Sequence, residues 1–500
     1  PRGLGGGPFI ANDVCLYTPG VKPFTWTTYA ERLQRAGITW RIYQEGLGHD
    51  DKTPLSGNYF DNALAYFEPF ARAPHDSELY RRAMVPAGVD QLKKDVLAGR
   101  LPQVSWIVTP AGYSEHPSYP PAYGAIYIAR VLDALTADRE TWGKTVLLLD
   151  YDENDGFFDH MVPPQPPTPK LPGISTVSTE GEVHDTANPL HPKPEEAPDG
   201  LPYGLGPRVP MLAISPWSRG GYVCSEVFDH TSVIRFLEAR FGVREPNITP
   251  WRRAVCGDLT SAFDFASHRA RQVSLPSTAG YWDLVLQESK LPPPTVPEHQ
   301  TVALLPQEPG VRPARPLPYA LELDLLASSD GVHLHFDNRS GVGTCCTAYW
   351  DASSGLPRRY TVGAGHALQD HLPLPRGQRL AMTVHGPNGF VRKISGDGAA
   401  PLEVTGRADL RGNLRLALRN TSDRAQTVHV RDEAYGRGEH TLAVGPGETA
   451  HWLCDLRASH HWYDLAVSVD RHRWRLAGHV ETGRESYSDP ASGAPVLSVV

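Results

Sequence analysis

The chain has 500 residues, of which 40% are hydrophobic and 21% charged, with a formal net charge of -8. That length asks for two to four domains, and the composition is that of an ordinary soluble globular protein. There is no long basic run and no stretch of 18 consecutive apolar residues, which argues against a nucleic-acid partner and a membrane-spanning helix.

Pro1-Arg-Gly-Leu-Gly-Gly-Gly-Pro8 reads as the middle of a loop, with neither the charged nor the apolar region of a signal peptide. We therefore expect the chain to start inside a domain. Tyr29 to Gly37 has helical patterning closed by a glycine, and Ile38 to Gln44 reads as a strand. Leu79 to Leu101 contains helical patterning ending at Gly99, Val104 to Thr109 is β-rich, and Ala122 to Leu135 repeats apolar residues at helical spacing. Thr145–Leu149 and Val209–Ile214 read as strands buried on both faces, the pattern of a central parallel strand. Ser232 to Phe241 is a helix stopped by Gly242. This alternation predicts an α/β domain with a parallel sheet over residues 1–270.

Residues 163–207 form a Pro-rich excursion between two core strands, and 271–312 read as a Pro-rich linker. Beyond it come short alternating strands with Gly and Asn turns. Leu334–Ser340 resembles Leu416–Ser422 at an offset of 82, and His366–Asp370 resembles His451–Asp455 at an offset of 85. These matches predict tandem all-β sandwiches of immunoglobulin-like size over 313–400 and 401–490. Of the six cysteines, none forms a CxxC pair, while Cys224 and Cys256 are candidates for a disulfide.

The chemistry concentrates after the 145–149 strand. Asp150, Asp152, Glu153, Asp155 and Asp159 fall within ten residues, followed by His160. Ligands of open α/β sheets bind beyond the carboxyl ends of strands, and clustered carboxylates there suit a divalent cation. The alternative is a solvated acidic turn, against which the adjacent Phe157-Phe158 indicates a packed loop. His116 follows the 104–109 strand and offers a proton or a hydrogen bond to a phosphoryl oxygen; a loop imidazole is also commonly a bystander. His230 precedes the 232–241 helix, where Thr231 or Ser232 as N-cap is the structural alternative. No strand-end Ser or Thr stands out as a nucleophile.

The segments 101–135, 141–160, 203–242 and 250–265, with TVLLLDYDENDGFFDH and FDHTS at their centre, resemble bacterial phospholipases C that act on phosphatidylcholine. That family belongs to a larger phosphoesterase group related to acid phosphatase A-type enzymes. The resemblance implies an alkaline-phosphatase-like core, two C-terminal β-domains and hydrolysis of choline phospholipid at a membrane surface to diacylglycerol and phosphocholine. It implies a secreted or periplasmic protein and one divalent metal ion held by Asp152 and Glu153. His116 and His230 are carried over as catalytic residues and His49, by position alone, as substrate-binding. Trp217, Tyr222, Tyr119 and Tyr123 are aromatic candidates for contact with choline, with ordinary packing as their alternative. The family's Glu-Asn metal pair and Ser/Thr nucleophile have no counterpart here and are expected upstream of Pro1. The competing readings are a phosphomonoesterase of the same group and an inactive fragment that acts as a binding module.

Overall fold

The computed structural model describes residues 23–47, 55–58, 61–154, 161–185, 198–266, 277–293, 295, 298, 310–350, 356–374 and 379–492. His49 and Asp155 to His160 lie outside them, as does Cys15.

The first half is α/β. Helix α1 (Tyr29–Arg35) begins with a reciprocal cap: the Thr28 hydroxyl accepts the Glu31 N–H, and the Glu31 carboxylate accepts the Thr28 N–H. Strand β1 (Trp40–Gln44) follows, then α2 (Glu68–Ala71), α3 (Glu78–Ala83) and α4 (Val89–Leu97). The helical patterning over 79–101 falls on two helices, α3 and α4, separated where Pro86 and Gly88 interrupt it. Strand β2 (Val104–Val108) pairs parallel to β1, Trp40 opposite Val104 and Gln44 opposite Val108. Alternation along β1 sends Trp40 and Ile42 into a core with Leu33, Phe70 and Met84, and Tyr43 into a second core on the other face. Helix α5 (Ala122–Leu135) covers that second core, and α6 (Arg139–Trp142) leads to β3 (Leu147–Asp150).

The excursion after β3 is a strap. Its short strand β4 (Gly173–Ser175) leaves the α/β region and pairs with a strand of the first sandwich, described below. The chain then returns as β5 (Met211–Ile214), α7 (Thr231–Phe241) and α8 (Pro250–Val255). β5 pairs with β3 antiparallel, Leu147 opposite Ile214 and Asp150 opposite Met211. This corrects the expectation of parallel strands. An apolar run carries no direction, and the described residues of the excursion supply no crossover helix to restore a parallel one. The 271–312 linker contains a helix, α9 (Tyr281–Glu288), whose Val285 is buried in the α5 core.

The remainder is all β: β6 (Pro313–Ala314), β7 (Leu321–Ala327), β8 (Gly331–Asn338), β9 (Thr344–Trp350), β10 (Arg358–Val362), β11 (Ala367–Pro373), β12 (Leu380–His385) and β13 (Val391–Gly396). The same succession recurs in β14 (Leu402–Ala408), β15 (Leu414–Asn420), β16 (Gln426–Asp432), β17 (Glu439–Val444), β18 (Thr449–Cys454), β19 (Trp462–Val469) and β20 (His472–His479), followed by β21 (Ser486–Tyr487). Each unit has a three-stranded sheet, β11-β8-β7 or β14-β15-β18. The opposing sheets merge through β13 and β20 into one nine-stranded sheet, β17-β16-β19-β20-β13-β12-β9-β10-β4, so a single apolar cluster runs through both units. Across the β8–β11 and β15–β18 pairs the register relates the two at an offset of 82: Phe336 faces Leu368, and Leu418 faces Ala450. The 85-residue match of His366 to His451 is therefore a coincidence of residue type. The Asn338 N–H bonds His366 O and the Asn420 N–H bonds Glu448 O, so Glu448 is the counterpart of His366.

Candidate active site

Asp150 is the last residue of β3, and His230 is delivered to it by the start of α7. The local sequence explains the delivery. Asp229 Oδ1 accepts the N–H and hydroxyl of Thr231 at 3.0 and 2.6 Å, and Ser232 Oγ accepts the Asp229 N–H at 3.1 Å. Asp229 thus takes the capping work that sequence reading gives to Thr231 or Ser232. The His230 ring is left to reach across, Nδ1 3.0 Å from Asp150 Oδ2 and Nε2 3.1 Å from the Asp152 carbonyl oxygen. Two acceptors on two ring nitrogens favour the imidazolium, which alone can donate from both. The hydrogen bond that His230 donates to Asp150 is the largest influence and raises the His230 pKa, against the opposing effect of desolvation.

Asp152 and Glu153 are exposed just beyond this clasp, and Asp152 Oδ1 accepts the Glu153 N–H at 3.0 Å. Both are exposed carboxylates, oxygen donors of the kind that suits a hard divalent cation with water completing its shell. Asp150 is engaged by His230.

His116 is exposed in the turn after β2, where its N–H meets Ser114 Oγ at 3.2 Å and its carbonyl accepts the Tyr119 N–H at 2.8 Å. Its neighbour Glu115 ties this turn to the acidic loop, accepting the Tyr151 hydroxyl at 2.7 Å. Burial, then this contact, pushes the Tyr151 pKa up to about 12. Glu115 has φ +63° and lies over Gly124 of α5, where a Cβ would come within 2.0 Å of Glu115 Oε1. A glycine at 124 is thus what admits the Glu115 side chain.

The antiparallel pairing moves Trp217 and Tyr222 away from this end. The carboxyl end of β5 lies beside Leu147, so Trp217 follows from the far end of a strand ~10 Å long. Trp217 and Tyr222 line a shallow pocket with Arg219, Asp264, Arg315 and Glu485. The Tyr222 hydroxyl donates to Glu485 Oε2 at 2.7 Å, and the Arg315 guanidinium sits 5.6 Å from the Tyr222 ring centroid. Trp217 packs against Phe265 at 5.6 Å between ring centroids. Tyr113, beneath the His116 turn, packs on Tyr123 at 5.5 Å. Cys224 and Cys256 are both free thiols, not a disulfide; Cys224 Sγ lies 3.4 Å from Ser261 Oγ.

Sequence reading singled out neither Asp150 as the partner of His230 nor Arg252 behind it. The Arg252 guanidinium reaches Asp229 Oδ2 at 2.6 Å, Glu182 Oε1 at 2.8 Å and Gly204 O at 2.7 Å. It joins the excursion to the α7 cap and so backs the residue next to His230. Asp150 stood among the five carboxylates; the spacing of FDHTS was the signal for its partner.

Residues 1–244 match the Phosphoesterase family, and 313–397 and 399–479 each match the bacterial phospholipase C C-terminal domain. The chain is 45% identical to a non-hemolytic phospholipase C of Pseudomonas aeruginosa, over 100% of this chain and 72% of that protein. It is 42% identical to the hemolytic phospholipase C of the same organism, over 98% of this chain and 73% of the relative. It is also 42% identical to a non-hemolytic phospholipase C of Burkholderia pseudomallei, over 98% of this chain and 72% of the relative. Phosphoesterases typically use metal ions, in keeping with the carboxylates beside His230. The chain belongs to the bacterial phospholipases C of the phosphoesterase family and is a phosphodiester hydrolase by kind.

Proposed function

We propose that the protein hydrolyses phosphatidylcholine to diacylglycerol and phosphocholine at a membrane surface, with one divalent ion held by Asp152 and Glu153. The observation that carries this reading is the clasp of His230 between Asp150 and the Asp152 carbonyl, which fixes the backbone that presents those two carboxylates. Bound there, the ion supplies positive charge to a phosphoryl oxygen. His230 is the positioning residue that keeps the acidic loop at the end of β3, and its own positive charge adds to the field on a phosphate. His116, exposed on the tethered turn, is the imidazole for the leaving diacylglycerol oxygen.

A phosphate at Asp152 and Glu153 puts the trimethylammonium group, two carbons beyond the choline oxygen, near the carboxyl end of β3 rather than at Trp217 and Tyr222 beyond the far end of β5. The Tyr222 ring already has Arg315 over it, and a second cation there would face that guanidinium. A secreted or periplasmic location fits a lipid-surface substrate. No described helix is long and apolar enough to cross a membrane.

The test supplies phosphatidylcholine vesicles and a matched phosphomonoester to the protein carrying this chain with any segment that precedes it. Phosphocholine release is expected, falling on the order of 10²-fold in Asp152→Asn, as on losing one preorganised electrostatic contact. Inorganic phosphate from the monoester without phosphocholine from the vesicles makes the protein a phosphomonoesterase. An unchanged metal content and rate in Asp152→Asn rejects the ligand assignment.

A further inference from the structure

The outer face of the first sandwich carries a cluster that the phosphoester chemistry does not use. On β8 the inward residues Val332, Leu334 and Phe336 are buried, and His333 points the other way. On β11 Leu368 and Leu372 point inward and His371 outward. His333 and His371 are direct cross-strand partners, their rings stacked at 4.3 Å between centroids and 20° between planes. Asp330, in the turn leading into β8, brings Oδ2 to 3.5 Å from His371 Nε2. Ser328 Oγ donates to the other oxygen, Asp330 Oδ1, at 2.5 Å and orients the carboxylate. One ligand atom from each of Asp330, His333 and His371 lies within 4.8 Å of the other two.

We propose that Asp330, His333 and His371 form a binding site for a borderline transition-metal ion of the zinc class, with the fourth position open to water. Two imidazoles and one carboxylate are a donor set for zinc rather than for calcium or magnesium, which take oxygen. Tetrahedral zinc with bonds of about 2.0–2.1 Å needs its ligand atoms closer together than 4.8 Å. Half-exposed side chains on fixed strands can make that adjustment by rotating, since the register already places the two imidazoles face to face. The backbone is shaped for them: a Cβ at residue 331 would come within 2.9 Å of His371 Nε2 and 2.2 Å of Leu372 O, so only glycine leaves the ring its place.

The second sandwich is an internal control. At the 82-residue offset Gly412, Arg415 and Leu453 replace Asp330, His333 and His371, and Arg415 pairs with Leu453 in the same register. The scaffold therefore forms without the cluster, and the cluster is not a requirement of the frame.

Zinc is titrated into chelator-stripped protein and bound metal is counted per chain by elemental analysis. Wild type should hold one equivalent more than the H333Q/H371Q double variant, and the carboxylates at Asp152 and Glu153, present in both, cancel in the difference. Cobalt(II) in place of zinc should give the visible bands of a tetrahedral site in wild type and not in the double variant. D330N, which alters one turn residue, should weaken that equivalent by ~10-fold or more. Unfolding of the double variant in chelator should match wild type; should it fail to fold, D330N alone decides. Equal stoichiometry and identical cobalt spectra overturn the site, as does unchanged affinity in D330N or a dissociation constant in the millimolar range.

Discussion

The two halves of the molecule tie down their loops by different chemistry. In the sandwiches a neutral amide serves. Asn338, fully buried, donates from Nδ2 to the carbonyl oxygens of Val342, Val362 and Gly363 at 2.8 to 3.0 Å. Its counterpart Asn420 donates to Arg424 O and Val444 O at 2.7 and 3.0 Å, and Ser340 and Ser422 each donate back to the asparagine oxygen. In the α/β half the equivalent joint is ionic: Arg252 between Glu182, which is 1% exposed, and Asp229. A neutral knot holds one shape wherever the fold recurs, and it has recurred. A charged knot sits where the structure must also present charge to a substrate, and its members depend on one another.

The largest expected effect tests that dependence. Arg252→Met leaves Glu182 and Asp229 without their cation, and a buried pair broken from one side costs about 3–5 kcal/mol. Chemical denaturation of the α/β half should show that loss together with a displaced His230 resonance, since Asp229 caps α7. A cost below about 1 kcal/mol would remove the contrast, because the charged knot would then hold no more than a neutral one.

Next come the amides. Asn338→Ala and Asn420→Ala each remove a buried amide, yet Ser340 Oγ still reaches Val342 O, the His366 N–H still reaches Gly363 O and Ser422 Oγ still reaches Arg424 O, so each variant is expected to lose about 1–3 kcal/mol. The shared core couples the units, so either variant should broaden or shift the unfolding of both. Two separate transitions, only one of them moved, would show that the β13–β20 seam does not link them.

The same contrast explains what the sequence could be made to show. The repeat was legible at Leu334–Ser340 and Leu416–Ser422 because each segment must bury alternate residues and end on the same Asn-x-Ser knot. The match of His366 to His451 failed because two exposed histidines carry no such constraint. In the α/β half the acidic loop and His230 were visible as residue types at a strand end and a helix start. Their pairing was not, since it depends on the direction of β5, and Met211–Ile214 reads the same either way. The excursion was visible as proline and glycine, but its strand β4 is three residues long and finds its partner 186 positions away, Ile174 opposite Tyr360. Pairing at such range leaves no local pattern.

The smallest effect is also the most local. Asp150→Asn removes the anion whose hydrogen bond is the main cause of the raised His230 pKa. An imidazole titration followed by NMR should therefore move to lower pH in the variant. The sign for stability follows: a group with a raised folded pKa stabilises fully below its unfolded value near 6.5 and loses that contribution as pH rises through the folded one. Wild type and Asp150→Asn should accordingly differ most in mildly acidic solution and converge above the folded His230 pKa. His230 is more than half exposed, so the difference is small beside the Arg252 and asparagine effects. A His230 titration unmoved by Asp150→Asn would mean that the Asp152 carbonyl alone holds the ring, and the clasp would reduce to one contact.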